Sequence, residues 1–257
     1  MTSLFHDIIF GPIHSRRLGL SLGVNLLPTE SKLCSFDCIY CECGWNAEHR
    51  GLRRFNPREE VQRLLSETLQ KMVADGTPPD VITFAGNGEP TMHPDFEAII
   101  DDTIALRDKF CPSAKVSVLS NATQLHREGV RRALLRVDNP ILKLDSAFDE
   151  TVRRMNNPQN NNYSVRDVVD GMKSFDGQMI LQTMFLRGTC EEVAIDNTVE
   201  REVAAWLELV AEIRPRQVMV YSLDRDTPCP TLEKVSREEL QQIAARVEAL
   251  GIPCSVA

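Results

Sequence analysis

Short apolar runs rich in β-branched residues alternate along this chain with longer stretches in which apolar positions recur every three or four residues. The first pattern predicts strands over 18–27, 80–85, 115–120, 141–145, 178–186, 217–223 and a short 252–256. The second predicts helices over 94–110, 126–136, 165–175, 199–213 and 236–250. A further helix opens at Asn56 and Pro57, as cap and first residue, and carries Val61, Leu64, Leu65, Leu69 and Met72 at helical spacing. Strands that alternate with helices in this way build a parallel sheet.

Six βα units are two short of a closed eight-fold barrel. The candidates are therefore a partial (β/α)6 barrel and an open doubly wound sheet, and both bind ligands at the carboxyl ends of the strands. No internal repeat, low-complexity segment or flexible linker divides the 257 residues, so one domain is expected. One stretch, 28–55, is longer than connections in compact domains usually are, which marks it as a place for function.

That stretch holds Cys34, Cys38, Cys41 and Cys43, four of the eight cysteines. No apolar run is long enough to cross a membrane, and the first ten residues lack the basic start and apolar core of a signal peptide. A cytoplasmic protein is expected, in which a tight cysteine group serves metal binding or catalysis better than disulfides. Cys111, Cys190, Cys229 and Cys254 are scattered and read as plain buried thiols.

In Cys34-Ser35-Phe36-Asp37-Cys38-Ile39-Tyr40-Cys41 the thiols follow one another at gaps of four and three. Three thiolates can hold three irons of a four-iron cluster and leave the fourth iron open to a small molecule. Two other readings compete. Cys43 could complete a zinc site in an RNA- or protein-binding module, although zinc ligands more often come as two separated C-x-x-C pairs. Cys38 and Cys41 could form a thiol-disulfide exchanger, which would leave Cys34 unexplained.

The CxxxCxxC spacing with Tyr40 before its last cysteine resembles the signature of the radical S-adenosylmethionine superfamily. Gly86-Asn87-Gly88-Glu89-Pro90-Thr91, directly after a predicted strand, resembles that family's glycine-rich turn. Gly11 to Gly19, Arg153 to Pro158 and Val220 to Arg225 look like stretches of a compact branch related to the wyosine synthetases of tRNA modification. The resemblance implies a partial barrel and a [4Fe-4S] cluster on Cys34, Cys38 and Cys41. It also implies that S-adenosylmethionine is cleaved to a 5′-deoxyadenosyl radical that abstracts hydrogen from a substrate, an oxidoreductase chemistry fed by flavodoxin or ferredoxin.

Tyr40, Gly86, Asn87, Gly88 and Glu89 would then contact the cofactor. Ser120, Asn121, Lys143, Asp145 and Ser146, at later strand ends, carry polar groups suited to its ribose and carboxylate. The lysine with which wyosine synthetases bind pyruvate has no match here, so wyosine formation is not expected.

A net charge of −8 argues against a large nucleic-acid face, and tRNA is a partner that is not favoured. Locally, His14, Arg16 and Arg17, then Arg50, Arg53, Arg54 and Arg58, form basic groups beside the cysteine loop. They suggest an anionic substrate, since guanidinium groups pair with carboxylates and phosphates bidentately.

Overall fold

The computed structural model describes residues 4–15, 19–48 and 54–257. In chain order its strands are β1 (Ile9–Ser15), β2 (Gly19–Val24), β3 (Val81–Phe84), β4 (Lys115–Ser120), β5 (Asn139–Lys143) and β6 (Ile180–Met184), followed by β7 (Leu186–Cys190), β8 (Val193–Asp196), β9 (Gln217–Tyr221), β10 (Leu232–Lys234) and β11 (Cys254–Val256). The helices are α1 (Arg58–Ala74), α2 (Phe96–Phe110), α3 (Glu128–Arg136), α4 (Asp149–Asn156), α5 (Val165–Lys173), α6 (Glu200–Ile213) and α7 (Arg237–Glu248).

The main sheet runs β1-β2-β3-β4-β5-β6-β9-β11, with every pair parallel except β1 against β2. Its order never reverses, which decides between the two expected architectures. Right-handed crossovers that always step in the same direction leave every helix on one face, whereas a doubly wound sheet needs a reversal. The fold is the partial barrel.

Side chains on the strands alternate accordingly. Leu142, Leu181, Val218 and Val220 face the helices in the main core with Val116, Val118, Ile82 and Phe84. Ile141, Ile180 and Met219 form a small separate cluster on the inner face, while Lys143, Gln182 and Tyr221, nearer the carboxyl ends, line a cavity. The helix face supplies the stability. On α6, Val203, Trp206, Val210 and Ile213 are buried, and each large apolar side chain contributes about 1.5–3 kcal/mol. Trp206 meets Phe185 edge-on at a centroid distance of 5.3 Å.

Several expectations needed correction. The predicted strand 178–186 divides at Phe185 into β6 and β7, and β7 turns out of the barrel into a second, antiparallel sheet, β10-β7-β8. Helix α4 had no predicted counterpart, because only Val152 and Met155 stand in its apolar stripe. Asn56 does not cap α1, where Pro57 takes that place. Its amide instead donates to the Asn25 and Leu27 carbonyls and fastens the end of β2. Cys190 and Cys229, expected as free thiols, form a disulfide between β7 and the connection from β9 to β10.

Candidate functional site

The cysteine loop crosses the carboxyl end of the barrel, held by backbone pairing at both of its edges. The Leu33 amide donates to the Asn87 carbonyl at 2.9 Å, and the Glu89 amide to the Leu33 carbonyl at 3.2 Å. A side chain on Gly88 would fill this seam, because a Cβ there would lie 1.8 Å from the Leu33 carbonyl oxygen. On the far edge the Asp37 and Ile39 amides donate to the Asn156 and Met155 carbonyls at 2.9 and 3.0 Å. Thus α4, absent from the sequence expectation, is one of the two rails of the loop.

Beneath the loop lies Lys32, which is 1% exposed. Its ammonium donates to the Gly44 carbonyl at 2.6 Å and to Asp37 Oδ1 at 3.1 Å. Burial penalises this charge, yet Cys41, Cys34 and Asp37 outweigh the penalty and raise its pKa. Burial likewise opposes the Lys143 charge, and Tyr221, Asp145 and Cys38 raise its pKa in turn. One buried cation, Lys32, and one part-buried cation, Lys143, therefore stand among the thiols. Nothing in the sequence around Lys32 singled it out, since an isolated lysine in a loop is ordinarily solvated.

Burial raises the pKa of Cys34 and of Cys38. Cys41 goes the other way, first through a hydrogen bond with Cys43 and also through Lys32. The three thiols share a wall of a cavity of about 470 Å³. Gly86, Gly88, Glu89, Ser120, Asn121 and Lys143 line the same cavity, as does Cys43. Glu89 is fully enclosed there, where burial raises its pKa. Its carboxylate accepts from the Asn121 amide at 2.6 Å, Ser120 Oγ at 2.8 Å and the Thr91 amide at 3.1 Å.

Four expected contact residues stand elsewhere. Asn87 turns away from the cavity and ties Phe5 and Pro28 to the strand end. Asp145, also outside the cavity lining, accepts from the Tyr40 hydroxyl, from Asn156 Nδ2 at 2.8 Å and from the Met184 amide at 2.9 Å. Ser146 donates to Glu202 at 2.6 Å, on the side of α6. Tyr40 lines a neighbouring pocket of about 250 Å³, which shares Glu42, Tyr221 and Arg225 with the larger cavity.

The basic rim is less clear than the sequence suggested. Arg16, Arg17, Arg50 and Arg53 lie outside the described residues. Arg58 is committed to Asp102 through two hydrogen bonds of 2.7 and 2.9 Å. His14 lines the smaller pocket, where Arg225 pairs with Glu42 at 2.8 Å and Lys234 with Asp224 at 3.4 Å. Among the described residues no helix is long and apolar enough to cross a membrane.

Comparison with known proteins agrees with this architecture. The chain is 28% identical over 249 residues to a UPF0026 protein of Helicobacter pylori strain J99, a match covering 95% of this chain and 75% of the relative. Its fold is similar to that of a radical SAM methyltransferase from Sphaerobacter thermophilus, with a TM-score of 0.68 and 14% identity over 92% of this chain. This chain spans 65% of that enzyme's length. It is also similar in fold to TYW1 with a lysine-pyruvate adduct bound, with a TM-score of 0.60 and 11% identity, covering 89% of this chain and 73% of that one. The sequence profile of the Radical SAM superfamily matches residues 31–194, more than half of the chain and the whole cysteine loop, Gly86–Glu89 turn and central strands. The chain therefore belongs to the radical SAM superfamily and is an enzyme of that family, which works with a [4Fe-4S] cluster and S-adenosylmethionine.

Proposed function

We propose that this protein is a single-domain radical SAM enzyme whose cluster is held by Cys34, Cys38 and Cys41, and whose S-adenosylmethionine lies in the cavity they line. One observation carries the reading. The three thiols of the CxxxCxxC motif share that cavity with Glu89, Asn121 and Lys143, from three neighbouring strand ends. The residues fit the group, because thiolates are iron ligands and the buried Lys32 and part-buried Lys143 offset the negative charge of a thiolate-bound cluster.

When bound, the cluster and cofactor supply a 5′-deoxyadenosyl radical able to abstract hydrogen. The chain's own residues position and enclose. Lys143, on the cavity wall, is placed to meet the cofactor carboxylate and Ser120 one of its hydroxyl groups, while the Asn121 side chain is taken up by Thr123, Ser35 and Cys34. Glu89 is already donated to by Ser120, Asn121 and Thr91, so its first duty is to fix the geometry of β4 against the glycine turn. The smaller pocket beyond Tyr221 and Arg225 would take the substrate. Its described Arg225 and Lys234 are ion-paired, so they give no support to a specifically anionic substrate. An electron carrier such as flavodoxin or ferredoxin would reduce the cluster.

Alanine replacement of each cysteine tests the assignment. After anaerobic reconstitution, C34A, C38A and C41A should lose iron, sulfide and the brown absorbance, while C43A keeps them. A C43A protein without cluster beside a C34A protein with one would overturn the ligand set.

A further inference from the structure

Two asparagines outside the cysteine motif reach the sulfurs. Asn156 Nδ2 lies 3.5 Å from Cys38 Sγ, and Asn121 Nδ2 lies 3.6 Å from Cys34 Sγ, which also receives the Phe36 amide at 3.4 Å. From this geometry, and resting on the cluster assignment above, we infer that Asn121 and Asn156 are positioning residues that donate side-chain hydrogen bonds to the cluster's thiolate ligands and raise its reduction potential.

The orientation of both amides follows from their other partners. Asn121 Oδ1 accepts from the Thr123 backbone amide at 3.1 Å and from Thr123 Oγ1 at 2.8 Å. A backbone N–H can only donate, so the carbonyl side of Asn121 must face Thr123 and its NH₂ must face Cys34. For Asn156 the fixed partner is Asp145, whose Oδ2 accepts from Nδ2 at 2.8 Å while its Oδ1 accepts from the Met184 backbone amide. The remaining N–H has two candidates, Tyr40 Oη at 2.9 Å and Cys38 Sγ. Tyr40 Oη already receives Lys143 Nζ at 2.8 Å. Once Cys38 is an iron-bound thiolate, its charge makes it the stronger acceptor.

Neither amide is free to turn away. Asn156 is 1% exposed and ends α4, whose last carbonyls hold the cysteine loop, while the Asn121 backbone amide is tied to Glu89. A one-electron reduction adds negative charge to the iron-sulfur core. Donors aimed at the sulfurs stabilise the reduced form more than the oxidised form, so the potential rises. These residues thus ease the reduction that must precede chemistry, from positions 121 and 156, far along the chain from the motif.

The test measures the potential rather than turnover. N121A and N156A are reconstituted anaerobically, their iron and sulfide counted, and the reduced cluster titrated by electron paramagnetic resonance. Each loaded variant should show about a tenfold lower ratio of reduced to oxidised cluster at a fixed potential, equivalent to about 59 mV for one electron. The double variant should fall further, because the two amides serve different sulfurs. Loaded variants with the wild-type midpoint overturn the inference.

Wild-type protein labelled with ¹⁵N only at asparagine side-chain amides provides a second test that needs no variant. Pulsed electron paramagnetic resonance should detect coupling of those nitrogens to the reduced cluster, and absence of that coupling overturns the inference even where a variant misfolds. A wild type that takes up no cluster refutes instead the assignment on which the inference rests.

Discussion

Replacing Gly88 by alanine should separate the loop that carries Cys34 from the barrel. Gly88 has φ of +137°, a conformation that L side chains rarely adopt, and holding alanine there costs about 1–3 kcal/mol. The new Cβ would stand 1.8 Å from the Leu33 carbonyl oxygen, and that atom would have to retreat by about 1.2 Å to restore a tolerable contact. The Glu89-to-Leu33 hydrogen bond, already 3.2 Å long, does not survive such a shift, and its loss adds about 1 kcal/mol. A loss of about 2–4 kcal/mol is large against the 5–15 kcal/mol typical of a folded domain. Urea denaturation of the apoprotein should show the lower stability, and anaerobic reconstitution should show incomplete iron uptake, because Cys34 follows the displaced Leu33. Gly76 is the control. It also has a positive φ, +72°, but a Cβ there meets nothing within 4 Å, so G76A should lose about 1–2 kcal/mol and keep full iron content. Equal iron uptake in G88A and wild type would refute the claim that this seam sets the position of Cys34.

Exchanging Lys32 for methionine keeps most of the volume but removes the buried ammonium from Gly44 and Asp37. With Asp37 13% exposed, the expected cost is about 2–4 kcal/mol, accompanied by poor cluster retention; a wild-type urea midpoint with full iron content would show that the lysine is dispensable. Glu212 provides a pH prediction. Arg166 and then Lys173 hold its carboxyl down at about 2, against 4.5 for the free group. Because the folded pKa is depressed, its contribution is present above pH 4.5 and lost as pH falls towards 2. The urea midpoint of wild type should therefore exceed that of E212Q at pH 6 and the gap should close by pH 2–3, whereas a gap independent of pH would exclude this ion-pair cluster as its source.

The strands that build the parallel sheet were legible because they run apolar against the helix layer, and β4, β5 and β9 end in the polar side chains of Ser120, Lys143 and Tyr221. The cysteine loop was legible because its spacing leaves few alternatives. Other features depended on information that the linear pattern does not hold. The β7–β8 hairpin turns on Glu191 and Glu192, both at positive φ (+47° and +67°), where an Asn-Gly pair would have been the recognisable sign. Helix α4 is short, and its arginines hide the stripe made by Val152 and Met155.

The same difference explains why Asp145 and Tyr40, expected as cofactor contacts, stand outside the lining of the cavity that the three thiols share. Sequence position located both at the barrel mouth but could not say which way each turned. A buried carboxylate needs donors, and Tyr40, Asn156 and the Met184 amide supply them; the partners that satisfy Asp145 are the ones that hold it away from the cavity wall. Through Asn156 and Tyr40 that buried carboxylate still acts on the site, since it fixes the amide that reaches Cys38 and the phenol that receives Lys143. A residue expected as a cofactor contact is thereby engaged as a support for its neighbours, and a polar residue at a strand end is better judged by the partners it must satisfy than by its distance along the chain from the motif.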